Sequence, residues 1–475
     1  GAGSETFDWS QRYGPLNWPR SGKPVLGVSA ARPDYWKAEN LDGFDGRQWT
    51  RAMVAGAQQL PAASPAARSR WTERIAVTIR DMHTSDVIGA GAFAAPQNLA
   101  KPVVPGAGPG TWSAGRTLGP GDTYQTEAYS PQPTPAELAR AAGDYAGVPS
   151  GYRSLRVPVL AYSDAGGGLI HLSPEIAFAP FGSGKPPQVV SDPQLSPGAV
   201  AAVGASPYGP VYALSQRLAR QARTPYGYVE LVLRWLGHGY RYNENPPVSP
   251  YPLVSFLMTT RLGYCQQFAG AMALLLRMGG VPARVAVGFT PGGYDAASRA
   301  WVSSDLNAHA WVEAWFPQYG WVRFDATPSA DPALLGTVAA PSSQQPASAP
   351  ARPAAPPRTH PPQAQPPSHA VGAPAAPTAP SGSSGPPLEA IVAPAVTAAL
   401  LALLLVLTRP LSGPEAALAE LERAFARSRR PLAAGVTLAQ LEQRLHDWPR
   451  AAAYVRALRI ERFGAARRAP SRLAA

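Results

Sequence analysis

The sequence is short of cysteine and of charge. Among 475 residues Cys265 is the one cysteine, so no disulfide can form within the chain, and burial and hydrogen bonding must hold the fold. Charged residues make up 15% of the total, and the net charge of +12 is unevenly spread. The last 67 residues carry 13 Arg against 6 acidic residues, which argues against a nucleic-acid groove across the whole protein. The amino terminus has no basic segment followed by an apolar run, so it reads as neither a signal peptide nor a span, but as the start of a fragment. Metal-ligand spacing is also missing. His83, His171, His238 and His309 never fall four apart, and no Asp-rich loop suggests calcium, so neither a metal set nor a cofactor is expected.

Proline and glycine are abundant instead, at 55 and 45 residues. Residues 337–387 are Pro, Ala, Ser and Gln with hardly an aliphatic side chain, too little apolar surface to offset chain entropy, and are expected to be a disordered linker. A Pro-rich linker of that length reaches on the order of 150 Å. Residues 388–408 are almost wholly apolar, the length of a transmembrane helix. Arg409, Arg423, Arg427, Arg429 and Arg430 follow it, so the positive-inside rule places residues 409–475 in the cytoplasm and residues 1–387 outside it. Ser412 with Pro414 and the Thr437–Gln440 capping box open helices there, which predicts a small Arg-rich helical domain.

Residues 1–205 hold short alternating segments such as Arg74–Arg80 and Thr123–Tyr129 between Gly/Pro turns, the pattern of a small β-rich domain. From about residue 206 the period becomes helical. Thr224 and Pro225 form a cap and first-turn pair, followed by Tyr228, Leu231, Val232, Trp235 and Leu236 on one face. This begins a second domain, predicted over 206–336 and of α+β class.

That second domain carries the chemistry. Phe268, Met272, Leu275 and Leu276 share a helix face that ends at Gly279-Gly280, which puts Cys265 at the helix N-terminus. Free N–H groups and the dipole there favour a thiolate and could form part of an oxyanion hole. Val281–Phe289, Trp301–Ser304, His309–Phe316 and Gly320–Asp325 read as successive antiparallel strands. His309 begins one strand and Asp325 closes the next, within reach of each other across an antiparallel pair. A thiol nucleophile, a histidine proton partner and a carboxylate that fixes the histidine are the three roles of a covalent acyl-transfer site. Trp311, Trp315 and Trp321 are expected to pack the sheet, and Glu313 to face Arg323 across strands.

The motifs Gly-Tyr-Cys265-Gln-Gln-Phe-Ala, Gly-Val-Pro282-Ala-Arg-Val, His309-Ala-Trp-Val-Glu and Gly-Trp-Val-Arg-Phe-Asp325-Ala-Thr-Pro328 closely resemble the bacterial transglutaminase-like core. The resemblance covers about residues 210–330 and implies a papain-like fold with a Cys265-His309-Asp325 triad. Tyr35-Trp36, Asp42–Trp49 and the carboxyl-terminal segments are similar to a membrane-anchored branch of that superfamily, which implies further membrane helices upstream of Gly1. Two departures stand out: Gln266-Gln267 follows the nucleophile where relatives often carry a charge, and Ala326 follows Asp325 in place of the usual Pro. Both are expected to bear on substrate preference. The expected activity is acyl transfer or hydrolysis at an amide of a protein or peptide in the cell envelope, through a thioester, with no nucleic acid as partner. The alternative is a non-catalytic envelope-binding module coupled to the cytoplasmic domain and its partner there.

Overall fold

The computed structural model describes residues 5–141, 143–163, 168–191 and 198–334, together with 442, 455 and 456. The expected linker and span lie outside the described residues, as does the Arg-rich tail apart from those three positions. No helix among the described residues is long and apolar enough to cross a membrane.

Two antiparallel sheets frame the site. Their strands, in chain order, are β1 (Pro24–Ser29), β2 (Trp36–Leu41), β3 (Thr72–Ile79), β4 (Gly89–Ala90), β5 (Ala92–Phe93), β6 (Thr123–Tyr129), β7 (Ala283–Phe289), β8 (Gly293–Asp295), β9 (Ala300–Ser304), β10 (Ala308–Phe316) and β11 (Gly320–Phe324). Among the described residues, one sheet runs β11-β10-β7-β2-β4 and the other β8-β9-β1-β3-β6-β5. Helices α1 (Gly209–Ala219), α2 (Pro225–Leu236) and α3 (Cys265–Met278) complete the core.

Helices α2 and α3 start where a side chain meets a free backbone N–H group. Thr224 Oγ1 accepts from Gly227 N at 3.0 Å and opens α2. At α3 the side chain of Gln267 reaches back to accept from Tyr264 N at 3.1 Å. All fourteen residues of α3 are buried, on every face, because α1 and α2 cover the side turned from the sheet. Two hydroxyls tie that layer down: Ser215 donates to the Leu275 carbonyl at 3.1 Å, and Tyr228 donates to the same oxygen. The helix stops at Gly279 and Gly280. A Cβ on Gly280, whose φ is +86°, would lie 2.3 Å from the Ala179 carbonyl, so only glycine fits.

Two sequence expectations change here. β2 comes from the first two hundred residues yet pairs with β7, with Leu41 opposite Val285 and Trp36 opposite Phe289. The expected boundary at residue 205 therefore does not divide the sheets. β9 leaves the β7-β10-β11 meander as well, pairing with β1 and β8 in the other sheet. Periodicity identified both segments as strands but carries no information about distant partners.

Buried charge links β2, β7 and β10. Glu313 meets Lys37 Nζ at 2.6 Å and Arg284 at 2.8 Å, all three essentially out of solvent. Register places Glu313 opposite both Arg284 and Arg323, but Arg323 pairs with Asp34 and lies over the Tyr35 ring at 4.1 Å. Burial pushes the Lys37 amine down to about 8 against the pull of Glu313.

Candidate active site

Cys265 is the first residue of α3 and packs against β10. Its neighbour Gln266 accepts from the Tyr264 hydroxyl at 3.0 Å and donates to the Ser10 carbonyl at 3.3 Å. Gln267 donates to the Tyr13 carbonyl at 2.9 Å. Both glutamines are thus engaged in fixing the helix start and the amino-terminal strap against it. Neither side chain is free to read a substrate.

β10 brings His309 in from the opposite side. Val312 pairs with Phe324, so Asp325, the next residue, stands on the same sheet face as His309. His309 Nε2 lies 2.7 Å from Asp325 Oδ2. The other carboxylate oxygen, Oδ1, accepts from Thr327 N at 2.9 Å. With Nε2 committed to Asp325, Nδ1 is the nitrogen left for the thiol.

Sequence reasoning missed three residues of this site. Tyr35, which enters before β2, donates to Asp325 Oδ2 at 2.9 Å, and its ring meets those of His309 at 5.7 Å and Trp311 at 5.2 Å edge to face. Asp331, beyond the last strand, places Oδ2 3.4 Å from His309 Nδ1. A ligand atom from each of Cys265, His309 and Asp331 lies within 4.8 Å of the others. The third is Tyr242, whose hydroxyl donates to Glu244 at 3.0 Å and whose titration is pushed up by burial and then by Asp331 and Cys265. The Tyr35-Trp36 resemblance pointed to the first; no sequence signal marked Tyr242, or set Asp331 apart from an ordinary turn after Pro328.

Cys265 and His309 are 2% and 0% exposed, and Asp331 is 1% exposed. Burial sets the electrostatics. It drives the Cys265 thiol above its usual value, opposed by the His309 contact and charge and by the Ala310 N–H, and reinforced by Asp331. Burial thus works against the thiolate that the helix terminus favours, while the His309 contact and charge work for it. Burial alone would lower His309, yet the Asp325 charge and hydrogen bond, then Asp331 and Cys265, carry it well above its usual value. Asp325 is held below the ordinary carboxylate range: burial opposes this, but the His309 charge and hydrogen bonds from His309 and Thr327 prevail.

The three tryptophans pack as expected. Trp311 takes Tyr35 against its edge, and Trp315 and Trp321 meet at 5.3 Å. A cavity of about 410 Å³ lined by Asp42, Ser150, Glu175 and Arg277 lies at the far end of α3, about 18 Å along the helix from Cys265.

Residues 212–326 match the family described as Transglutaminase-like superfamily. A protein-glutamine gamma-glutamyltransferase of Pseudomonas aeruginosa is 38% identical over 117 residues, 24% of this chain and 18% of that protein. The uncharacterized protein YebA of Bacillus subtilis is 45% identical over 76 residues, 15% of this chain and 10% of that one. The chain thus spans less than a fifth of the length of either relative. The crystal structure of the periplasmic domain of TgpA from Pseudomonas aeruginosa is 20% identical, covers 65% of this chain and 88% of its own, and superposes with a TM-score of 0.41.

Proposed function

We propose, taking the transglutaminase-like domain over residues 212–326 as the premise, that this chain is a thiol-dependent acyltransferase acting on side-chain amides of proteins or peptides. The observation that carries the reading is the 2.7 Å contact of His309 Nε2 with Asp325, which leaves Nδ1 for Cys265 at the start of α3. The γ-amide of glutamine is the favoured donor, by likeness to the Pseudomonas aeruginosa relative.

In this reading Cys265 and His309 react as a thiolate–imidazolium pair: the sulfur attacks the amide carbon, and His309 gives its Nδ1 proton to the departing nitrogen. A C–S bond forms and the C–N bond breaks, leaving a thioester and an amine or ammonia. The second acceptor, an amine or water, gives its proton to His309 and takes the acyl group from sulfur. An amine acceptor makes a cross-link; water makes a deamidase or peptidase. Asp325 keeps the Nε2 proton in place and offsets the charge on the imidazolium. The backbone N–H groups at the start of α3 are the donors this reading assigns to the developing oxyanion. Because Cys265 and His309 are buried, turnover requires an opening that admits the substrate amide to them.

The same proposal sets the enzyme in the cell envelope, anchored by the apolar segment 388–408 with residues 409–475 in the cytoplasm. A binding module is the second reading, favoured by the buried thiol alone. The test is incorporation of a primary-amine probe into a glutamine-rich acceptor protein, with ammonia release measured in parallel. Incorporation or release that vanishes in Cys265→Ala supports acyl transfer. Equal signals from the two proteins would overturn it.

A further inference from the structure

Three buried ligand atoms converge on one point in the site, and acyl transfer employs only two of them. Asp331 has no role in the chemistry above, yet its carboxylate is 1% exposed and is aimed at the reactive pair. Oδ1 accepts from Ala333 N at 2.9 Å, while Oδ2 has no hydrogen-bond partner among the described residues. His309 Nδ1 likewise lacks a hydrogen bond of ordinary geometry, although Asp331 Oδ2 stands 3.4 Å away. At that separation a proton on Nδ1 makes the two an ion pair, and a cation seated between them would take that proton's place. The Asp331 segment is itself fixed: the Ala333 carbonyl accepts from Thr290 Oγ1 and from Asn307 Nδ2.

We propose that Cys265 Sγ, His309 Nδ1 and Asp331 Oδ2 form a binding site for a borderline-soft divalent cation of the zinc class, and that its occupation silences the thiol. Thiolate, imidazole and carboxylate are a donor set suited to that ion, and the two negative charges balance it. The spacing agrees. Tetrahedral bonds of about 2.0–2.1 Å separate a nitrogen and an oxygen ligand by about 3.3–3.4 Å, and Nδ1 and Oδ2 are 3.4 Å apart. The sulfur lies within 4.8 Å of both, and a Zn–S bond of about 2.3 Å asks that it close to about 3.6 Å of them. Asp325 on Nε2 supplies the carboxylate that orients a ligating histidine from its far side. Coordination replaces the protons on Sγ and Nδ1, which leave to solvent; the fourth position is left for water. The bound ion would occupy Sγ and Nδ1, the two atoms that acyl transfer uses, so binding and turnover exclude each other.

The test uses the full chain and needs no turnover, so its outcome is separate from that of the acyl-transfer assay. Equilibrium dialysis against Zn²⁺ with elemental analysis, and Co²⁺ titration monitored for a sulfur-to-metal charge-transfer band, would be run on wild type, Asp331→Asn and Cys265→Ser. The expected result is one ion per chain that Cys265→Ser loses, protection of Cys265 from iodoacetamide, and at least about tenfold weaker binding in Asp331→Asn. Zinc that fails to protect the thiol, a cobalt complex without the sulfur band, or unchanged affinity in Asp331→Asn would each overturn the proposal.

Discussion

The Tyr35 hydroxyl donates to Asp325 Oδ2 at 2.9 Å, and His309 Nε2 meets that same oxygen at 2.7 Å. One carboxylate oxygen is thus held from two sides, by a side chain from the amino-terminal segment and by the histidine it serves. Tyr35→Phe removes one hold. We expect kcat for amine incorporation to fall about tenfold with KM little changed, the size of one hydrogen bond to a charged group. A variant that loses thermal stability but keeps its kcat would reduce Tyr35 to a packing role.

The thiol should titrate late. Iodoacetamide labelling of wild type, followed by intact mass from about pH 6 to about pH 10, is expected to rise through a midpoint above that of an ordinary thiol. His309→Ala should move the midpoint higher still, since His309 is the main influence holding it down. Labelling at about pH 8 then slows by roughly tenfold, the equivalent of one pKa unit. A midpoint unmoved by the substitution would mean that the two groups do not interact.

Asp331→Asn should have the opposite effect on the thiol. The Asp331 charge raises the Cys265 titration, so neutralising it lowers the midpoint and speeds metal-free labelling at a fixed pH below it. Slower labelling would show that Asp331 assists the thiol rather than opposing its ionisation.

The histidine's contribution to stability has a defined pH window. Its folded value is raised, so that contribution is complete below about pH 6.5, the unfolded value, and fades as pH climbs through the folded one. Asp325 is lowered, so its contribution is complete above about pH 4 and fades as pH falls through the folded value. The melting-temperature difference between wild type and His309→Gln should therefore be widest from about pH 4 to about pH 6.5 and narrow on the alkaline side. A difference independent of pH would remove the ion pair from the account.

Glu313 should be costly to neutralise. Glu313→Gln leaves Lys37 and Arg284 buried without their shared carboxylate, Arg284 retaining only Asp42 at 3.8 Å. Removing one member of a buried ionic group costs roughly 3–5 kcal/mol, to be measured by chemical denaturation. A loss below about 1 kcal/mol, the level of a surface pair, would mean that water reaches the cluster.

What could be read from the sequence was local. The α3 face, the Thr224 cap, the β10 and β11 strands and the His309–Asp325 pairing all follow from periods and caps within a few tens of residues. The partners Tyr35 and Asp331 are brought in by strands and turns far away or past the motif, and no period reports that. The electrostatics of Cys265 are only half legible for a related reason. A helix terminus is visible in sequence, whereas the burial that opposes it depends on everything packed above. Glu313 shows the same limit: register offered it two arginines, and the nearby Asp34 decided which one stayed.

The position of β2 between β7 and β4 has a consequence for biosynthesis. Trp36–Leu41, all six residues destined for the interior, leaves the ribosome about 240 residues before its neighbour Ala283–Phe289. At about 5–20 residues per second the wait is on the order of tens of seconds. Through that interval the strand has an unsatisfied edge, and Lys37, Glu39 and Asn40 await the partners they are buried with, which is the hazard chaperones exist to cover. The same geometry defines the smallest unit worth expressing. A fragment starting near residue 206 would lack both the strand beside β7 and the tyrosine that steadies Asp325, and its inactivity would say nothing about the longer chain.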